Sequence, residues 1–158
     1  MTKSWVAVLS QSQMKLFGRV DGENSTLEFI KSLENDLARL KSKDVSRHEP
    51  GKGIRGSAHH GDGQYTMTSS SETPHEIASD AFALQIANFL DDERKQGHVS
   101  DITITAEPKF LGRVKKAMTI ETKRIVLKWI GKDFEKATTD FITEAINKSN
   151  LESEEVSL

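Results

Sequence analysis

No cysteine occurs among the 158 residues, which excludes disulfides, catalytic thiols and cysteine-based zinc knuckles. Long apolar runs are missing as well. The strongest, Trp5 to Leu9 and Phe82 to Leu90, fall far short of the roughly 18 residues that a membrane-spanning helix needs. No secretory leader is recognisable either: the N-terminus offers one lysine and a short apolar run, less than the apolar core of about 7–15 residues that such a signal carries. The expectation is a cytoplasmic protein, exported only by a route without a cleaved signal. A strong charge of one sign is also lacking, with 22 Lys and Arg against 24 Asp and Glu and a net charge of -2. That balance argues against a wholly basic nucleic-acid protein but says nothing of local patches.

The chain has the length of one domain, able to bury about 68–70% of its unfolded surface without cross-links. Its first third is rich in strand signals: Ser4 to Ser10, Met14 to Val20 and Leu27 to Leu33 alternate or concentrate β-formers. Asp21-Gly22 is a turn dipeptide suited to a hairpin, and Leu37 and Leu40 suggest a short helix over 35–43. The composition then changes. Residues 41 to 75 hold five of the ten glycines, four of the five histidines and only five hydrophobic residues, too few to bury. A long flexible loop is expected at about 41–73, and loops of that length are usually functional or disordered.

The second half is more regular. Thr73-Pro74-His75-Glu76 has the cap, first-turn proline and returning Glu of a helix start. Phe82, Ile86, Phe89 and Leu90 stack on one face, and Gly97 is a stop, so the longest helix is predicted over 74–96. A buried strand follows at 101–105, then a helix opening at Pro108 with Phe110, Leu111, Val114, Ala117 and Met118 on one face. The last strand is read over 123–130 and the last helix over about 133–148, with Phe134, Phe141, Ile142, Ala145 and Ile146 inward. An acidic tail, 149–158, is expected to be disordered. The order is β-β-β-α-β-α-β-α. It predicts an α/β fold: a single domain over 1–148 with a mixed five-stranded sheet and helices packed on it.

Several chemistries find no support. No Gly-x-Ser-x-Gly elbow is present, and the glycines of Gly51-Lys52-Gly53 and Gly61-Asp62-Gly63 are not followed by the Lys-Ser/Thr of a phosphate loop. The first strand carries no carboxylate for magnesium, and Asp101 and Asp133 fit turn and cap positions. His48, His59, His60 and His75 are the metal-ligand candidates, chiefly His59 and His60, but their spacing matches no defined site. Solvated loop histidines, and no cofactor, are the expectation. The positive reading is basic: Arg39, Lys41, Lys43, Arg47, Lys52 and Arg55, with His59 and His60, lie among glycines in a segment able to mould itself to phosphates.

The opening Trp5-Val6-Ala7-Val8-Leu9 followed by Lys15-Leu16-Phe17, the Arg/Gly/His stretch from Pro50 to His59, Phe82-Ala83 with Ile86-Ala87, and above all Pro108-Lys109-Phe110-Leu111-Gly112 together resemble the bacterial host-attachment protein family. Lys132-Asp133 adds to it. That family is similar in turn to the middle domain of archaeal and eukaryotic peptide-chain release factors and of Pelota, whose mixed sheet is related to ribonuclease H. The resemblance implies a non-enzymatic module that binds ribosomal RNA, tRNA or a protein partner through the basic loop. It also implies, as alternatives, direct participation in attachment or hydrolysis of a peptidyl-tRNA ester. For the last, Gly61-Asp62-Gly63-Gln64 lies where release factors carry Gly-Gly-Gln, making Gln64 the catalytic candidate. Asp62 departs from that pattern: it lacks the backbone freedom of a second glycine, and its carboxylate would repel tRNA phosphates.

Overall fold

A computed structural model describes residues 3–20, 26–36 and 73–156, with side chains through residue 149. Three strands come first: β1 (Ser4–Leu9), β2 (Gln13–Val20) and β3 (Thr26–Glu34). The helix α1 (Pro74–Lys95) follows, then β4 (Asp101–Thr105), α2 (Pro108–Ala117), a short α3 (Ile120–Arg124), β5 (Val126–Ile130) and α4 (Thr139–Val156). All five strands form one sheet in the order β3-β2-β1-β4-β5. β1 and β2 pair antiparallel, as do β2 and β3, whereas β1–β4 and β4–β5 are parallel. The α/β class and the mixed five-stranded sheet read from the sequence are therefore those of the fold. Asp21-Gly22 and the short helix expected over 35–43 lie outside the described residues, except for Asn35 and Asp36.

Both faces of the sheet are covered, because β1 at its centre is apolar on both. Trp5, Ala7 and Leu9 point to the side of α1 and α2, packing with Met14, Leu16, Ile102, Ile104, Phe82, Ile86, Leu90, Phe110 and Val114. Val6 and Val8 point the other way, with Phe17, towards Phe134, Ile142 and Ile146. The predicted α1 start is realised in full: Thr73 Oγ1 accepts from Glu76 N (3.2 Å) and Glu76 Oε2 accepts from Thr73 N (3.0 Å). Its end is set by Gly97, whose left-handed φ of 74° suits glycine.

Three expectations about the C-terminal third are corrected. The strand read over 123–130 begins only at Val126, because Thr119 caps α3 through Thr122 N (3.2 Å) and winds residues 120–124 into a helix. The last helix begins at Thr139 instead of 133. Asp133 accepts from Glu135 N (2.9 Å) and Thr138 from Phe141 N (3.2 Å), so the preceding residues make turns and a cap. The later start changes which residues face the sheet. Ile142 and Ile146 are buried as expected, but Phe141 is 57% exposed and packs edge-on against the buried Phe134. The helix then continues to Val156, through most of the segment read as a disordered tail.

α3 is fastened to α1 around one carboxylate, with Arg94 Nε also donating to Thr122 Oγ1 (3.2 Å). Asp91 accepts from Arg94 (2.8 Å), Lys95 (3.0 Å), Thr119 (3.0 Å) and Thr122 (2.8 Å). The Arg94 guanidinium, followed by Lys95 and Thr122, holds its carboxyl well below the usual carboxylate range. A pKa depressed in the folded state contributes stability that is present above the unfolded value, near 3.9, and lost as pH falls below it. Acid unfolding monitored by circular dichroism is therefore expected to show a smaller stability loss below about pH 4 in Asp91→Asn than in wild type.

On β4, Thr105 is fully buried and its Oγ1 has no hydrogen-bond partner among the described residues. An unsatisfied buried hydroxyl costs about 1–3 kcal/mol. Thr105→Val, of nearly the same shape, is expected to raise the urea midpoint, with a stability gain of about 1 kcal/mol.

Candidate functional site

In sheets with parallel strands, ligands bind beyond the strands' carboxyl ends, where the strand order changes direction. Here β1 is that point, with an antiparallel neighbour on one side and a parallel one on the other. A crevice of about 340 Å³ opens there, lined by Ser10, Gln11 and Ser12 after β1, His75 on α1, Glu107 and Phe110 at the start of α2, and Asp133 and Glu135 after β5.

The β1–β2 turn forms one wall and is held by its own first residue. Ser10 Oγ accepts from Ser12 N (3.2 Å) and Gln13 N (3.1 Å), while Ser10 N donates to Gln13 O (2.9 Å). The acids are similarly committed. Glu107 caps α2 through Lys109 N (3.0 Å), Asp133 accepts from Glu135 N, and Glu135 Oε1 accepts from Ser12 Oγ (2.8 Å). Among the described residues no group of three or more His, Asp or Glu side chains is placed to hold a metal ion. His75 Nε2 meets Gln11 Oε1 and not a serine hydroxyl. Among the described residues the arrangement brings hydroxyls, an amide, an imidazole and carboxylates to the crevice.

Gln11 also organises the mouth of the crevice. Its carbonyl accepts from Asn35 Nδ2 (2.9 Å), and Asn35 N donates to Ser12 O (2.8 Å). Asn35 is 3% exposed and its amide also reaches Ala78 O on α1 (3.4 Å). The chain thus leaves the described part at Asp36, beside Gln11, and re-enters it at Thr73, two residues before His75 on the same Gln11. Every basic candidate lies between those points. Arg39, Lys41, Lys43, Arg47, Lys52, Arg55, His59, His60, the catalytic candidate Gln64 and also His48 fall outside the described residues. Of the four histidines singled out, His75 is the one placed, at the crevice.

Two features escaped the sequence reading. The pairing of Gln11 with Asn35 and His75 joins residues 24 and 64 positions apart, and isolated polar residues give no periodic signal. The second was countable: residues 108–137 carry Lys109, Arg113, Lys115, Lys116, Lys123, Arg124, Lys128, Lys132 and Lys136 against Glu121, Asp133 and Glu135. A charge count by segment finds this basic stretch as readily as the loop.

Residues 5–146 match the family model described as protein required for attachment to host cells. The chain belongs to that family. No curated protein matches this host-attachment family member. Among solved structures it is similar to the Ppx/GppA phosphatase of Aquifex aeolicus in its type II variant, at 13% identity and a TM-score of 0.36, over 82% of this chain and 36% of the other. A second structure of the Aquifex aeolicus PPX-GPPA enzyme gives 11% identity and a TM-score of 0.35 over the same shares. The chain spans about a third of the length of these phosphatases, and at that level of likeness their activity does not transfer to it. The expected relation with release factors finds no support in these comparisons. Among the described residues, no helix of this family member is long and apolar enough to cross a membrane.

Proposed function

We propose that this member of the host-attachment family is a non-enzymatic binding module that engages RNA, ribosomal or transfer, in the cytoplasm and serves attachment indirectly. The observation that carries the reading is the placement of Asn35 and His75 on Gln11. It makes the segment with Arg39, Lys41, Lys43, Arg47, Lys52 and Arg55 leave and return at one crevice. Cations that neutralise phosphates release their counterions, which adds salt-dependent affinity. The finer placement of the fold, with sheets related to ribonuclease H and the release-factor middle domain, is part of the same proposal. The mixed order β3-β2-β1-β4-β5 supports it. Retention of total tRNA and of ribosomes by the full chain at low salt tests the function. Binding that weakens in Lys52→Ala/Arg55→Ala is expected; no binding overturns the reading.

The family's description favours a second reading, in which the protein itself contacts the host cell. Cell fractionation decides between them. Recovery on the cell surface or in the medium supports direct attachment, and confinement to the cytosol counts against it.

A further inference from the structure

Gly112 occupies the middle of α2 with ordinary helical backbone, and a Cβ built on it would meet nothing among the described residues within 4 Å. Glycine weakens a helix interior relative to alanine. Neither a close neighbour nor a positive φ requires it here, since Gly97 is the positive-φ glycine of the described residues. What glycine does provide is open space. Gly112 lines a groove of about 450 Å³ together with Lys109, Arg113 and Lys116 of α2 and Glu76 and Asp80 of α1.

The cations of this groove differ in their commitments. Arg113 is fixed by Asp80 and lies 4.0 Å from Glu76, and Glu76, which also closes the cap of α1, feels the charge of Lys109 as well as that of Arg113. Lys109 and Lys116, one turn before and one turn after Gly112, are exposed. Helical spacing sets residues 109, 112, 113 and 116 on one stripe. The lining carries three positive charges against two negative ones; Asp80 is engaged with Arg113, and Glu76 is shared between Arg113, Lys109 and the cap of α1. We propose that this groove binds a phosphate group over Gly112, with Lys109 and Lys116 closing on its oxygens and Arg113 held ready behind them. The phosphate is free inorganic phosphate or one from an RNA backbone. In the second case the groove is a further RNA contact on the folded body, and that part rests on the function proposed above.

The test is a titration of isotope-labelled full-length protein, followed by NMR at the amides of residues 109–116, with inorganic phosphate and separately with tRNA. Saturable shifts there are expected with at least one of them. Shifts with phosphate alone assign the site to small phosphates; shifts with both assign it to the RNA backbone as well. Gly112→Ala is expected to raise the melting temperature and to weaken binding of the responding ligand about tenfold, as is Lys109→Ala/Lys116→Ala without the gain in stability. Absence of shifts with both ligands, or wild-type affinity in both variants, overturns the site. Should tRNA still bind in a manner sensitive to Lys52→Ala/Arg55→Ala, the function reading stands while the groove falls. Saturation by phosphate with no tRNA binding gives the reverse.

Discussion

Phe110→Ala is expected to destabilise the chain by about 3–5 kcal/mol, the range for truncating a fully buried aromatic ring. Phe110 is 0% exposed and stacks on Phe82 of α1, with ring centroids 6.2 Å apart and an interplanar angle of 25°. It also lines the crevice. Removing the ring opens a cavity between α1 and α2 against the sheet residues Leu9, Ile102 and Ile104, all fully buried. Strands cannot move to fill it without breaking the parallel ladders of β1, β4 and β5, so collapse is limited and the cost falls high in the range. Leu127, 67% exposed on β5, provides the comparison: its change to alanine is expected to stay within about 0.5 kcal/mol. Urea unfolding followed by fluorescence of the two tryptophans measures both. A loss below about 1 kcal/mol for Phe110→Ala would contradict the packing of α1 against α2.

Much of this fold was legible because apolar spacing and capping both report local geometry. The bounds of β4 and the capping box of α1 were read correctly, since Ile102 and Ile104 alternate and Thr73-Pro74-His75-Glu76 contains its own cap. The errors cluster where tertiary contacts override the pattern. Lys123 and Ile125 look like strand, yet Thr122 is drawn to Asp91 on α1 and the segment winds into α3. Phe134 and Phe141 fit one helical face only if the helix begins at 133, and Asp133 and Thr138 delay that start. The basic segment is a matter of composition alone, whereas the meeting of Gln11, Asn35 and His75 joins residues that are distant in sequence. No periodicity links them.

Affinity for tRNA is expected to fall about 10³-fold between roughly 50 and 200 mM monovalent salt. The estimate follows from six cations, Arg39, Lys41, Lys43, Arg47, Lys52 and Arg55, each neutralising one phosphate. Each contact contributes a slope of about 0.7–0.9 in log K against log salt, so six give a slope near −5. Such steepness is incompatible with recognition through a few neutral hydrogen bonds, which salt hardly affects. The near-zero net charge of the whole chain does not oppose it, because screening confines the relevant field to charges within about 10 Å of the ligand. Fluorescence anisotropy with labelled tRNA gives the affinities directly.

The central claim is that a basic segment anchored at the carboxyl end of the sheet makes this host-attachment family member an RNA-binding module. Its most direct test is the salt slope of tRNA affinity, compared between wild type and Lys52→Ala/Arg55→Ala. The account predicts a wild-type slope near −5 that becomes shallower by about 1 for each cation removed. Absence of binding at low salt, or an unchanged slope and affinity in the variant, would contradict it.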